Sequence, residues 1–274
     1  MAKLASEPIT KDDLDAYLAS VSDFQFEMVV HGELARLGFD CRHGGTYSDP
    51  ITSKHREFDI RAIGRIGAHR LYLAAECKNL RANFPLLVSR LPRTKHEAYL
   101  DVVCPHDQST APPPTLVTYT TTPPAGSRRV VGADSLYRVG DPTGKSLTQV
   151  GREIKKEGDL VAGDSEIYDR WSQALGSSRD LFVEASEWAS DQRDGIALVL
   201  PLVVVPDGRL WAADYNALGE LISSPTQAES ISHFVGAPIK LDFFHGRRPE
   251  ISHLEFITLS GLEPWIKRIA GLLA

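Results

Sequence analysis

Residues 56–80 read REFDIRAIGRIGAHRLYLAAECKNL, and the way this stretch folds decides the architecture. Two apolar runs rich in Ile, Leu, Tyr and Ala flank a glycine-bearing connection, the pattern of a β-hairpin. Set into these runs are Asp59, Glu76 and Lys78. Carboxylates and amines on a sheet face cost free energy when nothing partners them, so the three residues require a reason.

We take residues 56–63 as one strand, 70–78 as the next and 64–69 as the connection. A turn centred between Gly67 and Ala68 places Asp59 opposite Glu76. Because side chains alternate along a strand, one face then carries Phe58, Ile60 and Ala62 against Leu71, Leu73, Ala75 and Cys77, an apolar set suited to a core. The other carries Asp59, Arg61, Ile63, Tyr72, Ala74, Glu76 and Lys78. A slip of one residue ends the opposition of the acids. Two carboxylates at cross-strand distance repel unless a cation lies between them or one takes a proton. Oxygen ligands that leave room for water and phosphate suit Mg²⁺ or Mn²⁺ better than zinc. A lysine beside them can hold a water nucleophile or stabilise charge on phosphorus. The chemistry that fits is phosphodiester hydrolysis. The competing reading is a solvated sheet face with an ordinary ion pair.

Outward from the hairpin, residues 23–38 form an amphipathic helix, with Phe26, Val29, Val30, Leu34 and Leu37 at helical spacing, Ser22 or Asp23 as cap and Gly38 as stop. Residues 7–20 also read as helical. Residues 39–47 read as a strand leaving through Gly44-Gly45. From 81 to 163 the pattern weakens into Pro- and Thr-rich connections around a short strand at 116–120. Residues 165–189 give one long helix or two broken at Gly176. Residues 196–205 give a buried strand, with 210–215 as its hairpin partner. The end, from His253, supplies one more strand and a closing helix.

The 274 residues carry a net charge of −6, which argues against a broad basic surface coating nucleic acid but leaves room for a local groove. No apolar run approaches the roughly 18 residues of a membrane helix, and the first residues lack the apolar core of a secretory signal. The expectation is a cytoplasmic protein with no membrane partner. Cys41, Cys77 and Cys104 show neither disulfide nor zinc spacing.

The string FD-x16-ECK, preceded by a helix of the form FExxVxxxLxxLGF, resembles the PD-(D/E)XK nuclease superfamily, in particular its Mrr-like and Holliday-junction-resolvase-like branches. The resemblance covers residues 23–80. It implies an α/β fold of restriction-endonuclease-like type, a mixed central sheet flanked by helices. The helix at 165–189 and the strand at 196–205 then supply the last α and β of the common core. In that arrangement the chain is a single domain, with core segments 23–80 and 165–215, an insertion at 81–164 and a C-terminal extension at 216–274. The resemblance also implies the site: Asp59 and Glu76 as metal-binding acids, the main-chain carbonyl of Cys77 completing the metal shell, Lys78 as the catalytic lysine, and Glu27 holding a metal-bound water or a second metal. The cofactor is Mg²⁺ or Mn²⁺, the partner nucleic acid, with DNA ahead of RNA, and the activity that of a metal-dependent endodeoxyribonuclease. A homodimer is compatible with it. Two rivals stand beside this reading: a catalytically idle nucleic-acid-binding or assembly subunit, and an RNA- or nucleotide-directed phosphodiesterase. The chain departs from the family pattern at Phe58, where a proline is usual, and in the long gap between Lys78 and the next helix.

Other residues carry weaker readings. Asp49 is a turn residue or an extra metal ligand, Glu33 an alternative to Glu27, and His31 a packing or surface histidine. Asn79 and Arg61 border the site and are candidates for phosphate contact. Gly140-x-x-x-Gly144-Lys145-Ser146 is one residue short of a phosphate-cradling loop and reads as a basic loop. Arg128-Arg129 and residues 152–156 read as solvated charge or as contacts to a nucleic-acid backbone. The four tryptophans read as core.

Overall fold

The computed structural model describes residues 6–20, 22–49, 52–105, 125–132, 135–153, 158–241 and 249–273. Its elements run α1 (Lys11–Ser20), α2 (Phe24–Arg36), β1 (Asp40–His43), β2 (Thr46–Ser48), β3 (His55–Glu57), β4 (Ile60–Ile66), β5 (His69–Cys77), β6 (Leu86–Pro92), β7 (Tyr99–Cys104), β8 (Gly126–Val131), β9 (Pro142–Arg152), β10 (Leu160–Gly163), α3 (Ser165–Ser190), β11 (Ala197–Val205), β12 (Leu210–Asp214), β13 (Thr226–Gln227), β14 (Ser230–Lys240), β15 (Glu250–Thr258) and α4 (Leu262–Leu273). The fold is α/β. One large mixed sheet follows the order β1-β4-β5-β11-β15-β14-β9-β6-β12-β13, and few helices flank it. No helix among the described residues is long and apolar enough to cross a membrane.

The hairpin of the opening stretch is β4 and β5, antiparallel, with Ile60 opposite Ala75 and Ile66 opposite His69. This is the register expected from the residues. The strand is shorter at its start than expected, because 55–57 pair with β2 instead and Phe58 and Asp59 form a break between the two strands. The Phe58 ring sits where a Cβ on Gly45 would lie 2.6 Å away, and the Arg61 guanidinium covers it at 4.2 Å. That packing occupies the position at which the family pattern has proline.

β5 and β11 run parallel, Leu71 beside Leu198 through Cys77 beside Val204. Parallel neighbours need a long crossover, which α3 provides as one continuous helix. Gly176 does not break it; the glycine admits the Tyr47 ring, whose nearest atom would stand 3.0 Å from an added Cβ. Alternation divides the core in two. Tyr72, Ala74, Val199, Val203 and Val205 pack with Ile167, Leu181 and Phe182 of α3. Leu71, Leu73, Ala75, Cys77, Leu200 and Val204 pack with Val30 and Leu34 of α2 and Trp265 and Ile269 of α4. Both faces of the hairpin are thus covered, and the charged face lies under α3 rather than in water.

Three expectations are corrected. Residues 210–215 are not the hairpin partner of β11, since β5 and β15 already occupy both of its edges; β12 pairs in parallel with β6. Residues 142–152 are strand rather than a basic loop. Gly144 lies where β9 meets β14 at His233, and a Cβ there would come within 2.8 Å of Val88 and 2.9 Å of the His233 ring. The segment 81–164, read as exposed connections, instead supplies β6 to β10, and residues 216–274 supply β13 to β15, all but the turns joining the same sheet. The strand expected at 116–120 lies outside the described residues, as do 154–157.

Candidate functional site

The site lies where β5 ends, β4 begins, α2 starts and the first turns of α3 pass overhead. Asp59 stands one residue before β4, so its carboxylate turns back across the hairpin: Oδ2 accepts from the Cys77 amide at 2.7 Å. The Asp59 amide makes a long contact of 3.4 Å to Glu76 Oε1. Glu76 points to the α3 face with Tyr72 and Ala74 and is fully buried. Its second oxygen, Oε2, has no hydrogen-bond partner among the described residues.

Above the acid pair sits a residue the sequence did not reveal. Arg170, near the start of α3, donates from NH1 to both Asp59 oxygens at 3.2 Å and lies 3.6 Å from Glu76 Oε2. Its NH2 donates to Asp23 Oδ2 at 2.9 Å. Asp23 is the second unexpected member. It stands at the N-cap position of α2 but makes no side-chain cap bond, because its carboxylate also accepts from Lys78 Nζ at 3.2 Å and from the Asn79 amide at 2.9 Å. Asp23 was legible only as a helix cap, and an arginine in an amphipathic helix carries no mark of its target.

Lys78 and Arg170 thus share Asp23, and Arg170 continues from it to the acid pair. Glu27, in the first turn of α2, meets His43 of β1 at 3.0 Å. Burial is the first influence on the acids of this cluster. Burial, then the charge of Asp59, pushes the Glu76 carboxyl well above its ordinary value. Burial raises Asp59 as well, against the opposing pull of Arg170, and raises Glu27, with Asp59 adding to it. Burial alone would lower the Arg170 guanidinium; Asp59, Asp23 and Glu76 outweigh it and raise it. Four carboxylates, Asp23, Glu27, Asp59 and Glu76, face two cations, Lys78 and Arg170.

The remaining candidates fall outside this cluster. Arg61 is buried and donates to Ser177 O and Asp180 of α3, fixing the helix over the hairpin. Asn79 donates to the Ser22 carbonyl. Asp49 acts in its turn, accepting from the Thr52 amide and pairing with Arg56. Glu33 pairs with Arg36, and His31 lies edge-on to His43 with ring centroids 6.3 Å apart. The Cys77 side chain lies in the core, so only its main chain faces the acids. Among the described residues no group of three His, Cys, Asp or Glu side chains is arranged to hold a metal by itself. Comparison of the chain with family models, with curated proteins and with solved structures gives no match in any of the three.

Proposed function

We propose that this protein is a divalent-metal-dependent nuclease that hydrolyses phosphodiester bonds, with DNA as the substrate class. The observation that carries the reading is the convergence of Asp59, Glu76, Lys78 and Glu27 at one end of the hairpin, where four carboxyl groups face two fixed cations. Glu76 Oε2 is buried with no hydrogen bond and only the Arg170 guanidinium at 3.6 Å, which leaves it able to take a further ligand. The order of elements from α2 through β1, β4, β5, α3 and β11 supports the same reading, since three strands, a crossover helix and a parallel fourth strand are what the resemblance implies.

The donor set fits a hard cation: Asp59, Glu76 and the Cys77 carbonyl offer oxygen alone. A bound Mg²⁺ or Mn²⁺ supplies charge that polarises the phosphate and makes a water acidic. The chain's own residues do the rest. Lys78 holds the attacking water and its developing negative charge; Arg170 donates to a non-bridging phosphate oxygen; Glu27, held by His43, orients water on the α2 side. Water oxygen bonds to phosphorus, the bond to the leaving oxygen breaks, and that oxygen takes up a proton.

One observation favours a second reading. Arg170 already lies within 3.2 Å of Asp59 and 3.6 Å of Glu76, the place of a metal's charge, as befits an idle site in an assembly subunit. Plasmid cleavage with Mg²⁺ and Mn²⁺ titration by calorimetry separate the two. In the nuclease, Glu76→Ala abolishes cleavage and Lys78→Ala lowers it about 10²–10³-fold, the usual loss of one stabilising donor. Turnover unchanged in both variants overturns the mechanism. In an idle subunit the wild type binds no Mn²⁺ and Arg170→Ala begins to bind it.

A further inference from the structure

Beside the acidic cluster, and sharing Lys78 with it, opens a cavity of about 260 Å³ between the end of β5 and the edge of β9 and β10. Its character is opposite to that of its neighbour. Lys78, Arg81 and Arg152 contribute three cations, and no Asp or Glu is among the described residues that line it. Gln149 lines it from β9 while only 2% exposed. The amide Nε2 is committed to the Phe84 carbonyl at 3.3 Å, and Oε1 has no partner among the described residues. Oε1 is itself closed to solvent, so a small turn of the amide toward the cavity would give this unpaired acceptor a donor from whatever enters. The Phe84 ring lies in the wall against Gly151, where an added Cβ would come within 2.7 Å of it; the glycine keeps the ring in place.

We infer that this cavity is a subsite for one unpaired nucleotide of the substrate strand next to the scissile phosphate. The inference rests on the nuclease reading for its position along the strand. Arg81 and Arg152 take the neighbouring phosphate, since a guanidinium matches phosphate oxygens in geometry and charge. Phe84 offers an apolar face to the base, as aromatic side chains do in sites for single strands. Gln149 Oε1 accepts an N–H from the base edge. The volume lies below the roughly 300 Å³ at which ordinary ligand pockets begin, so it has room for a single base, with sugar and phosphate at its mouth, and not for a duplex. A base can enter only out of its stack, which makes single strands, overhangs and flaps the preferred substrates over blunt duplex.

The test uses the full chain, a fluorescent 12-mer oligodeoxynucleotide and its blunt duplex, with EDTA present so that binding is read without turnover. The expected result is single-strand binding at least about 10-fold tighter than duplex, and a loss of about 10–100-fold in the Arg81→Ala/Arg152→Ala double variant. Its slope of log affinity against log salt falls by about 0.7, the loss of one phosphate contact on a single strand. Arg81→Lys/Arg152→Lys retains most of that slope, and an unchanged melting temperature shows the double variant folded. Equal affinity for duplex and single strand, or a double variant that binds like wild type, overturns the subsite. Cleavage assays keep the two proposals apart: wild-type cleavage that needs Glu76 but ignores Arg81 and Arg152 sinks the subsite alone. Arginine-dependent binding with no cleavage under any divalent ion leaves the subsite and removes the nuclease.

Discussion

Glu76 is a carboxylate buried beside a second carboxylate, and that combination sets its behaviour with pH. Its pKa in the folded state is raised well above the ordinary 4.5. Below pH 4.5 it is neutral in both folded and unfolded chains; as pH rises further, the unfolded chain ionises first, and folding stability falls through the folded pKa. Metal-free protein therefore loses thermal stability from this residue as pH rises above 4.5 through the raised folded value. In Glu76→Gln, scanning calorimetry is expected to show that component gone, with a melting temperature at pH 7.5 at or above that of wild type. On the proposed reading, addition of Mn²⁺ is expected to raise the melting temperature of wild type and not of the variant. An unchanged pH slope in Glu76→Gln contradicts the assignment of this trend to the carboxylate. Among these residues Asp59, Glu76 and Lys78 were legible because hairpin alternation constrains them. Asp23 and Arg170 were not, because their roles come from the tertiary approach of α2 and α3, which no local period encodes.

At the scale of elements, the strands tolerate close approach only where side chains vanish. Gly144 is the clearest case, with Val88 fully buried at 2.8 Å and the His233 ring at 2.9 Å from an added Cβ. Val88 lies in the core and has nowhere to go, so Gly144→Ala is expected to destabilise by about 1–3 kcal/mol, as overpacking does, read as a lower urea midpoint at unchanged slope. The glycine and its neighbours looked in sequence like a near miss of a phosphate loop, and their purpose turns out to be packing. The β4–β5 register was readable because alternation is strong there, and β11 was readable as a buried strand because its run is apolar throughout. The partner of β12 was not. Pairing along a parallel sheet depends on which edges are free, and β11's edges were taken by β5 and by a strand some fifty residues further on, for which the apolar run itself holds no information.

At the scale of the whole molecule, the second half of the sheet has its own response to acid. His233 is buried among Phe256 and Trp171. Burial, with the charge of Lys145, pulls its pKa down to about 4 from 6.5. The unfolded chain takes up the proton first as pH falls, so this residue withdraws stability between pH 6.5 and about 4, on the order of 3 kcal/mol over the full window. That trend is opposite in sign to the one at Glu76. In a Glu76→Gln background, urea unfolding at pH 7 and pH 4.5 is expected to show a clear loss at the lower pH, reduced by His233→Leu. Equal stability at the two pH values refutes it. A further brace joins three strands: Asp101 of β7 is fully buried and bidentate to Arg129 of β8, and accepts from the Glu250 amide of β15. Asp101→Ala removes both Arg129 bonds and the acceptor of the Glu250 amide, while Arg129 keeps Glu250 and some water, and it is expected to lower stability by about 1–3 kcal/mol, read as a lower melting temperature.

The crossover that carries Arg170 has a consequence for how the protein comes into being. The arginine lies 111 residues beyond Asp59 in the chain, and the strand that locks β5 from its far side follows α3. While the ribosome is still delivering the middle of the sequence, the two acids have neither their resident cation nor a closed sheet beneath them. Contacts so distant along the chain form late. The cluster of acids and the arginine that bridges them is therefore put together only after α3 and β11 have left the ribosome, late in the making of the chain.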